Sequence, residues 1–234
     1  MDNFASLNAD ITQRVVIDQT SLPWVDSPVH GVRRRMLERE GAEVARATSV
    51  VSYAPGSSFH RHIHDLGEEI LILDGIFSDE TGDYSAGSYL KNPAGSAHAP
   101  SSEPGCTLFV KLRYLDPDDQ HQVAVDTRTA QWLPGLVAGL SVLPLSSFGT
   151  QSTAMVRWAP GTRFQQHQHF GGEEIYVLDG VFEDEQGRYP AGTWLRSPHL
   201  SAHQPFSIEG CTIFVKTGHL SPNQSALPAQ RANA

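Results

Sequence analysis

The chain is poor in cysteine and in long apolar runs, and both shortages limit what it can be. Only two of its 234 residues are cysteines, Cys106 and Cys211. Because they occupy the same place in two repeats described below, we expect them to lie in separate cores and to stay unpaired, as is usual in a reducing compartment. No apolar run approaches the roughly eighteen residues of a membrane span, and the N-terminus lacks a signal-peptide pattern. We therefore expect a cytoplasmic protein with no membrane partner.

Positive charge is also scarce. The chain has 17 Lys and Arg against 26 Asp and Glu, a formal net charge of −9. Nucleic acids and anionic membranes are both recognised through basic patches, so the composition argues against them as partners. Hydrophobic residues make up 39% and charged residues 18%, as in an ordinary globular protein. The length allows one large β domain or two domains of about 110 residues.

An internal duplication is the dominant feature of the chain. A shift of 105 positions aligns residues 54–112 with 159–217 without a gap, and about 33 of the 59 aligned positions are identical. A period of this length indicates a duplicated domain rather than a solenoid unit. We place the boundary in the connecting segment. This gives an N-terminal domain of residues 1–117 and a C-terminal domain of residues 118–234, the latter ending in a loose tail.

Strand signals dominate both repeats, and no window shows a long helical pattern. Segments such as EILILDGIF and CTLFVKLRYL are short, rich in β-branched and aromatic residues, and bounded by Gly, Pro, Asp or Ser. The turn sequences DETGDY and DEQGRY each lie between two such segments, as a hairpin connection does. The sequence therefore predicts an all-β fold, a sandwich or a barrel.

Histidine and glutamate cluster at the start of one strand in each repeat. His62 and His64 share one face of an extended strand because side chains alternate, and His98 follows later. One carboxylate of the adjacent pair Glu68 and Glu69 joins them. The second repeat has the same spacing, with His167, His169, His203 and one of Glu173 and Glu174. Three imidazoles and a carboxylate suit Zn, Fe, Mn, Ni or Cu, which predicts one metal ion in each repeat.

A structural explanation competes with this hypothesis. A single histidine or glutamate at a strand end is more often an exposed or hydrogen-bonded group than a metal ligand. Duplication would also copy a neutral pattern, so the second set is not independent support. However, the repeats have diverged at nearly half of the aligned positions, and all four ligand types survive in both. Six of the eleven histidines fall in the pattern, and together they favour metal binding.

These residues resemble the two signature motifs of the cupin superfamily. The first, G-x5-H-x-H-x3-4-E-x6-G, matches Gly56, His62, His64, Glu68 and Gly75, and again Gly161, His167, His169, Glu173 and Gly180. The spacing from its glutamate to its closing glycine selects Glu68 and Glu173 as the metal ligands. The second, G-x5-P-x-G-x2-H, matches Gly87, Pro93, Gly95 and His98, and then Gly192, Pro198, Leu200 and His203. Leu200 replaces a glycine, so we expect the shape of its turn to have changed.

Within the superfamily, the segments GEEILILDGIFSDETGDY and EPGCTLFVKL are similar to the ChrR-type cupin, the domain at the C-terminal end of certain anti-sigma factors. The resemblance covers both repeats. It implies two tandem cupin barrels of the double-stranded β-helix, or jelly-roll, type, which together form a bicupin. It also implies one divalent transition metal, Zn, Fe, Mn or Ni, inside the mouth of each barrel.

The resemblance implies more than one function. Cupins of similar pattern include metal-dependent dioxygenases that act on small oxygenated molecules, and this is the function we favour. The alternative is a ChrR-like zinc-binding sensor or regulatory module without catalysis. A third reading is a metal that only stabilises the fold. The expected partner is a small-molecule substrate or ligand, with a homodimer as a further hypothesis.

Two further expectations concern residues outside the ligand set. The match between the repeats extends back to Trp24, which aligns with Trp132, so only about 23 residues precede the first repeat. They contain no cysteine and no helical pattern, so we do not expect a sigma factor as partner. No catalytic residue is identified beyond the ligands. His60 and Glu69 are the candidates for proton transfer beside the first metal ion.

Overall fold

In the computed structural model, which describes residues 6–221, the chain is built almost entirely from antiparallel strands. The first half contains β1 (Ser6–Leu7), β2 (Val15–Asp18), β3 (Val25–Asp26), β4 (Val32–Gly41), β5 (Ala45–Tyr53), β6 (Ser57–Ser58), β7 (His62–Ile63), β8 (Glu68–Asp79), β9 (Gly82–Ser85), β10 (Ser88–Asn92), β11 (Ala97–His98), β12 (Ser101–Ser102) and β13 (Cys106–Leu112). A single turn of 3₁₀ helix spans Gln19–Ser21. The predicted C-terminal tail, from residue 222 onward, lies outside the described residues.

The second half repeats this order. It contains β14 (Val123–Asp126), β15 (Leu133–Pro134), β16 (Leu140–Phe148), β17 (Gln151–Trp158), β18 (Thr162–Arg163), β19 (His167–Gln168), β20 (Glu173–Asp184), β21 (Gly187–Pro190), β22 (Thr193–Ser197), β23 (Ala202–His203), β24 (Phe206–Ser207) and β25 (Cys211–Thr217). Between residues 6 and 221, no helix has the length and apolar composition needed to cross a membrane.

Each repeat folds into a jelly-roll barrel. The main sheet of the first barrel has the order β1-β4-β5-β13-β8-β10-β14, and β7 pairs with β11 in a separate two-stranded sheet. The main sheet of the second barrel has the matching order β15-β16-β17-β25-β20-β22-β2, and β19 pairs with β23. The hairpins predicted at DETGDY and DEQGRY are the connections from β8 to β9 and from β20 to β21. The all-β bicupin architecture is thus confirmed.

The two barrels exchange their edge strands. Strand β14 follows the first repeat along the chain but pairs with β10 of the first barrel, with Val125 opposite Tyr89. In the same way β2, near the N-terminus, pairs with β22 of the second barrel, with Ile17 opposite Trp194. Each sheet is therefore completed by a strand from the start of the other repeat. The domain boundary between residues 117 and 118 remains a prediction. Each main sheet contains strands from both sides of that boundary.

Buried charges anchor the segments that lead to the exchanged strands. Lys91 Nζ lies 2.5 Å from Asp119 Oδ2, just before β14. Its counterpart Arg196 is fully buried and donates to the backbone carbonyls of Asn8, at 2.6 Å, and Asp10, at 2.8 Å, ahead of β2. Because a buried cation needs partners, each anchor favours the exchanged arrangement over a free edge.

Apolar cores lie inside each barrel and between the two barrels. Strand alternation turns Ile70 and Ile72 into the first barrel and Leu71 towards the second. The barrel interiors contain Cys106 and Cys211 respectively, both free and buried, which confirms that they lie in separate cores. A third cluster is shared between the barrels and consists of Leu37, Val50, Leu71, Tyr89, Phe109, Leu143, Leu145, Met155, Tyr176, Trp194 and Phe214.

Reciprocal ion pairs complete the contact between the barrels. Lys216 of the second repeat lies 2.7 Å from Glu69 of the first. Lys111 of the first repeat pairs with Glu174 of the second, and Thr48 accepts a further hydrogen bond from Lys111 at 2.9 Å. Because these are equivalent positions in the two repeats, the barrels face each other through the same surface, as the two copies in a symmetric dimer do.

Candidate metal centre

The first centre lies where β7, β11 and the start of β8 meet. Pairing of β7 with β11 places His62 directly opposite His98, and His64 follows β7 in the chain. The ring centroids lie 4.8 Å apart for His62 and His64, 5.0 Å for His62 and His98, and 4.7 Å for His64 and His98. His64 and His98 are buried, and His62 is half-buried. The structure therefore brings together the three histidines that the sequence selected.

Glu68 joins this cluster from the first position of β8. Its Oε2 atom lies 3.6 Å from Nε2 of both His64 and His98. The amide of Asn92 donates to the same Oε2 atom at 3.3 Å and orients the carboxylate. Within residues 6–221, the buried Nε2 atom of His64 has no hydrogen-bond partner.

The second centre repeats this geometry. His167 lies opposite His203 through the pairing of β19 with β23, and the centroids of His167, His169 and His203 are 4.6 to 4.9 Å apart. Glu173 Oε2 lies 3.4 Å from His169 Nε2 and 3.6 Å from His203 Nε2. In the part of the chain that the structure describes, the buried Oε2 of Glu173 and Nε2 of His203 lack hydrogen-bond partners.

These unpartnered atoms are a test of whether a cation fits. Buried polar atoms normally have partners, and orphaned ones need an explanation. Here the orphaned atoms are imidazole nitrogens and a carboxylate oxygen, and in each centre they point toward the other ligand side chains. In the second centre, one atom from each of the four residues lies within 4.8 Å of the others, and in the first centre the three imidazoles do so. The donor set and its spacing fit a divalent transition metal in each barrel.

Hydrogen bonds behind the histidines select the ring nitrogen that faces the centre. Nδ1 of His62 lies 3.0 Å from the His60 carbonyl, and Nδ1 of His167 lies 3.1 Å from the Gln165 carbonyl. A carbonyl only accepts, so in these neutral rings Nδ1 carries the proton and Nε2 has the lone pair; Nε2 of His167 lies 3.1 Å from Nε2 of His169. Ser201 Oγ lies 3.0 Å from Nδ1 of His169.

Two aspartates perform this task for the third histidine of each centre. Asp79 Oδ2 lies 3.2 Å from Nδ1 of His98, and Asp184 Oδ2 lies 3.5 Å from Nδ1 of His203. Carboxylates in this position fix the tautomer of a metal-binding histidine and strengthen it as a donor. Our sequence reasoning missed both aspartates. The available signal was their identity in both repeats, next to the predicted hairpin turns.

Burial shifts the pKa values of the candidate ligands toward their neutral forms. Desolvation and the neighbouring imidazoles lower the pKa of His64 and of His169 to about 3, so both rings are neutral near pH 7. Burial also raises the pKa of Glu68 to about 7 and raises the pKa of Glu173. An uncompensated carboxylate is thus disfavoured in these pockets. A cation at the centre would offset that penalty.

The two candidates for proton transfer lie elsewhere. The Glu69 carboxylate faces the second barrel, where Lys216, Tyr89 and Thr153 contact it, because it points opposite to Glu68 along β8. The Glu69 carboxylate therefore points away from the first centre. His60 has an exposed side chain and touches the centre through its carbonyl group, which places it at the rim.

The turn at Leu200 also differs from expectation. Leu200 has φ 65°, close to the 83° of its counterpart Gly95. The amides of both residues donate to the carbonyl of a histidine ligand, Leu200 to His169 at 2.9 Å and Gly95 to His64 at 2.7 Å. The turn has therefore kept its shape, and the leucine adopts a left-handed conformation that glycine adopts without strain.

Aromatic side chains flank the more exposed histidine of each centre. The Phe59 ring centroid lies 5.8 Å from that of His62, and the Phe164 centroid lies 5.2 Å from that of His167. These rings form an apolar wall beside the two half-buried histidines.

Comparison with known proteins supports the fold and the duplication. A family model described as the ChrR Cupin-like domain matches residues 12–116 and again residues 120–221. No curated protein matches the chain.

Several solved structures share the fold. A candidate dioxygenase from Nostoc punctiforme superposes with a TM-score of 0.75 at 17% identity, covering 90% of this chain and 84% of that one. The YlbA protein from E. coli gives 0.68 at 14% identity, covering 91% and 93%. Oxalate decarboxylase from Bacillus subtilis, studied for its Mn(II) centres, gives 0.57 at 13% identity, covering 88% and 77%. At these identities the likeness shows the fold alone.

Proposed function

Because the chain belongs to the ChrR Cupin-like family, we propose that it is a metal-dependent bicupin enzyme with dioxygenase-like activity on a small oxygenated molecule. One observation carries the proposal. In each barrel, three histidine rings and one glutamate carboxylate lie close together, with a carboxylate oxygen 3.4 to 3.6 Å from Nε2 of two of the histidines. The proposed ligands are His62, His64, Glu68 and His98 in the first barrel, and His167, His169, Glu173 and His203 in the second.

A transition metal at such a site supplies Lewis-acid polarisation of a bound oxygen atom and a place for O2. The chain's own residues contribute orientation and shelter. Phe59 and Phe164 exclude water from one side of the half-buried histidines. Asp79 and Asp184 hold the proton on Nδ1 of His98 and His203, which keeps Nε2 turned inward.

The relatives support the class of chemistry rather than a substrate. Among proteins of this fold, one is described as a candidate dioxygenase and another is an oxalate decarboxylase with Mn(II) centres. The second description names a small oxygenated molecule, oxalate. We therefore propose a small-molecule substrate and a resident metal of the Fe, Mn, Ni or Zn group, without choosing among them.

The second candidate function is a zinc-binding sensor or regulatory module. The observation in its favour is the family itself, since both repeats match a ChrR cupin-like model. In this alternative, the same eight residues hold zinc. A small molecule that binds the barrel changes its conformation and is not itself converted to a product.

Oxygen uptake separates the two functions. Protein purified without added metal is first analysed for metal content, then reconstituted anaerobically with Fe(II) and supplied with a panel of small β-dicarbonyl compounds. The enzyme proposal expects oxygen consumption that depends on both Fe(II) and substrate. The double variant His62→Ala, His167→Ala is the matched control and should consume none. Two zinc ions per chain, without uptake under any reconstitution, would favour the sensor and contradict the enzyme.

A further inference from the structure

Asp79 and Asp184 occupy equivalent positions, but their surroundings differ. Asp79 Oδ1 accepts hydrogen bonds from the amide and the hydroxyl of Thr81, which leaves Oδ2 to His98. Tyr84 in the first barrel contacts Thr81 rather than the aspartate. Among residues 6–221, the Asp79 carboxylate therefore faces His98 with no Lys or Arg side chain paired to it.

Asp184 is shared among more partners. Thr81 is replaced by Gln186, and the hydroxyl of Tyr189, the counterpart of Tyr84, donates directly to Asp184 Oδ1 at 2.7 Å. Arg14 lies 3.6 Å from Oδ2, the same atom that faces His203, and donates to the Tyr189 hydroxyl at 2.6 Å. The Asp184 side chain is 2% exposed and that of Arg14 is 30% exposed, so water screens this contact only in part.

Arg14 reaches this position because of the strand exchange. It immediately precedes β2, which pairs with β22 of the second barrel. The corresponding residue before β14 is Gln122, and it contacts Asn92 rather than Asp79. One difference between the two centres is therefore a charged residue that the N-terminal segment brings close to Asp184 but not to Asp79.

We infer that Arg14 is a positioning residue that weakens metal binding at the second centre by drawing negative charge from Asp184 away from His203. The inference rests on the proposed metal centres. An ionised carboxylate behind a histidine increases the donor strength of the ring, and an arginine that shares the carboxylate reduces this effect. The positive charge of Arg14 also opposes a cation bound nearby. Both effects weaken metal binding at the second centre.

The test measures metal affinity in the full-length chain with the first centre removed by His62→Ala. Co(II) is titrated against a competing chelator, which reports the affinity of the second centre independently of activity. Adding Arg14→Gln, which introduces the residue found at the equivalent position of the other repeat, should tighten Co(II) binding about three- to tenfold. Such a change is smaller than the ~10–100-fold effects of residues behind metal-bound histidines. Tyr189→Phe should tighten binding in the same direction.

Two controls separate charge from structure. Arg14→Lys keeps the charge and should leave the affinity within about twofold of the parent. Arg188→Gln removes a neighbouring charge that contacts Glu183 and Glu209 instead of Asp184, and should have no effect. Unchanged or weaker Co(II) binding in both Arg14→Gln and Tyr189→Phe would overturn the inference while leaving the centre intact. Failure of the His62→Ala parent to bind Co(II) at all would overturn the proposed centre, and this inference with it.

Discussion

Glu68 and Glu69 are consecutive in β8, yet their carboxylates lie in separate environments. Glu68 faces the barrel interior, with Oε2 3.6 Å from Nε2 of His64. Glu69 faces the other barrel, with Oε2 2.7 Å from Nζ of Lys216. Strand alternation thus assigns one glutamate to the candidate metal centre and the other to the contact between barrels. Glu173 and Glu174 are divided in the same way.

This division predicts opposite effects of two adjacent substitutions. Glu68→Gln should lower metal binding at the first centre and leave the free energy of unfolding of the metal-free protein nearly unchanged. Glu69→Gln should leave metal content intact and lower that free energy by about 3 kcal/mol, because Lys216 is left buried without an ionic partner. Metal analysis and urea unfolding of both variants test this. Equal loss of metal in the two variants would contradict the assignment.

The buried His219 predicts acid sensitivity. Burial lowers the pKa of its imidazole to about 4 from an ordinary value of 6.5, although Nε2 lies 3.1 Å from Glu174. Because the unfolded chain takes up the proton first, this residue's contribution to stability is complete above the ordinary value and falls between pH 6.5 and pH 4. The loss should approach about 3 kcal/mol.

Urea unfolding of the metal-free protein at several pH values measures this effect. His219→Gln keeps a hydrogen-bond donor toward Glu174 but does not titrate, so it should show a shallower fall in stability over the same range. Parallel pH profiles for the variant and the wild type would show that His219 is not responsible.

Leu200 predicts a stabilising substitution. Its φ of 65° is strained for a leucine, and its side chain is 49% exposed. Leu200→Gly should therefore raise the free energy of unfolding by up to about 1 kcal/mol, after the greater entropy of glycine in the unfolded chain is counted. The reciprocal change Gly95→Leu meets open space and should lower it by about 1 kcal/mol, through backbone strain alone. Thermal unfolding measures both variants, and midpoint temperatures that shift in the same direction would contradict this prediction.

The strand exchange predicts that the halves depend on each other. Residues 1–117 expressed alone would lack β14, and residues 118–234 alone would lack β2. Each would also expose the core shared between the barrels. We expect neither half to unfold cooperatively alone, and a mixture to recover a cooperative transition near that of the full chain. Independent, cooperative melting of either half as a monomer would show that the exchange is not needed for stability.

The sequence predicted the architecture because its signals are local. Strand composition, turn residues and the repeated spacing of histidines and glutamates each depend on a few neighbouring positions. The choice of Glu68 over Glu69 came from a motif, and the structure supplies its reason in the alternation of Ile70 and Leu71.

What the sequence did not predict depends on contacts distant in the chain. The exchange of β2 and β14 could not be predicted because the two repeats are similar. The sequence pattern of each strand fits either barrel. Arg14 contacts Asp184 only because of that exchange. Leu200 adopts the same turn as Gly95, although this conformation is unfavourable for leucine. The hydrogen bond from its backbone N–H to the His169 carbonyl holds the backbone in place.

The number of metal ions bound by three proteins tests the metal centres most directly. The wild type, His62→Ala and His167→Ala are titrated with Co(II) under identical conditions, followed by the absorption of the bound ion. Two ions should bind to the wild type and one to each variant, with the folded state retained in all three. A wild type that binds none, or single variants that still bind two, would contradict the proposal that each barrel holds one metal through its three histidines and one glutamate.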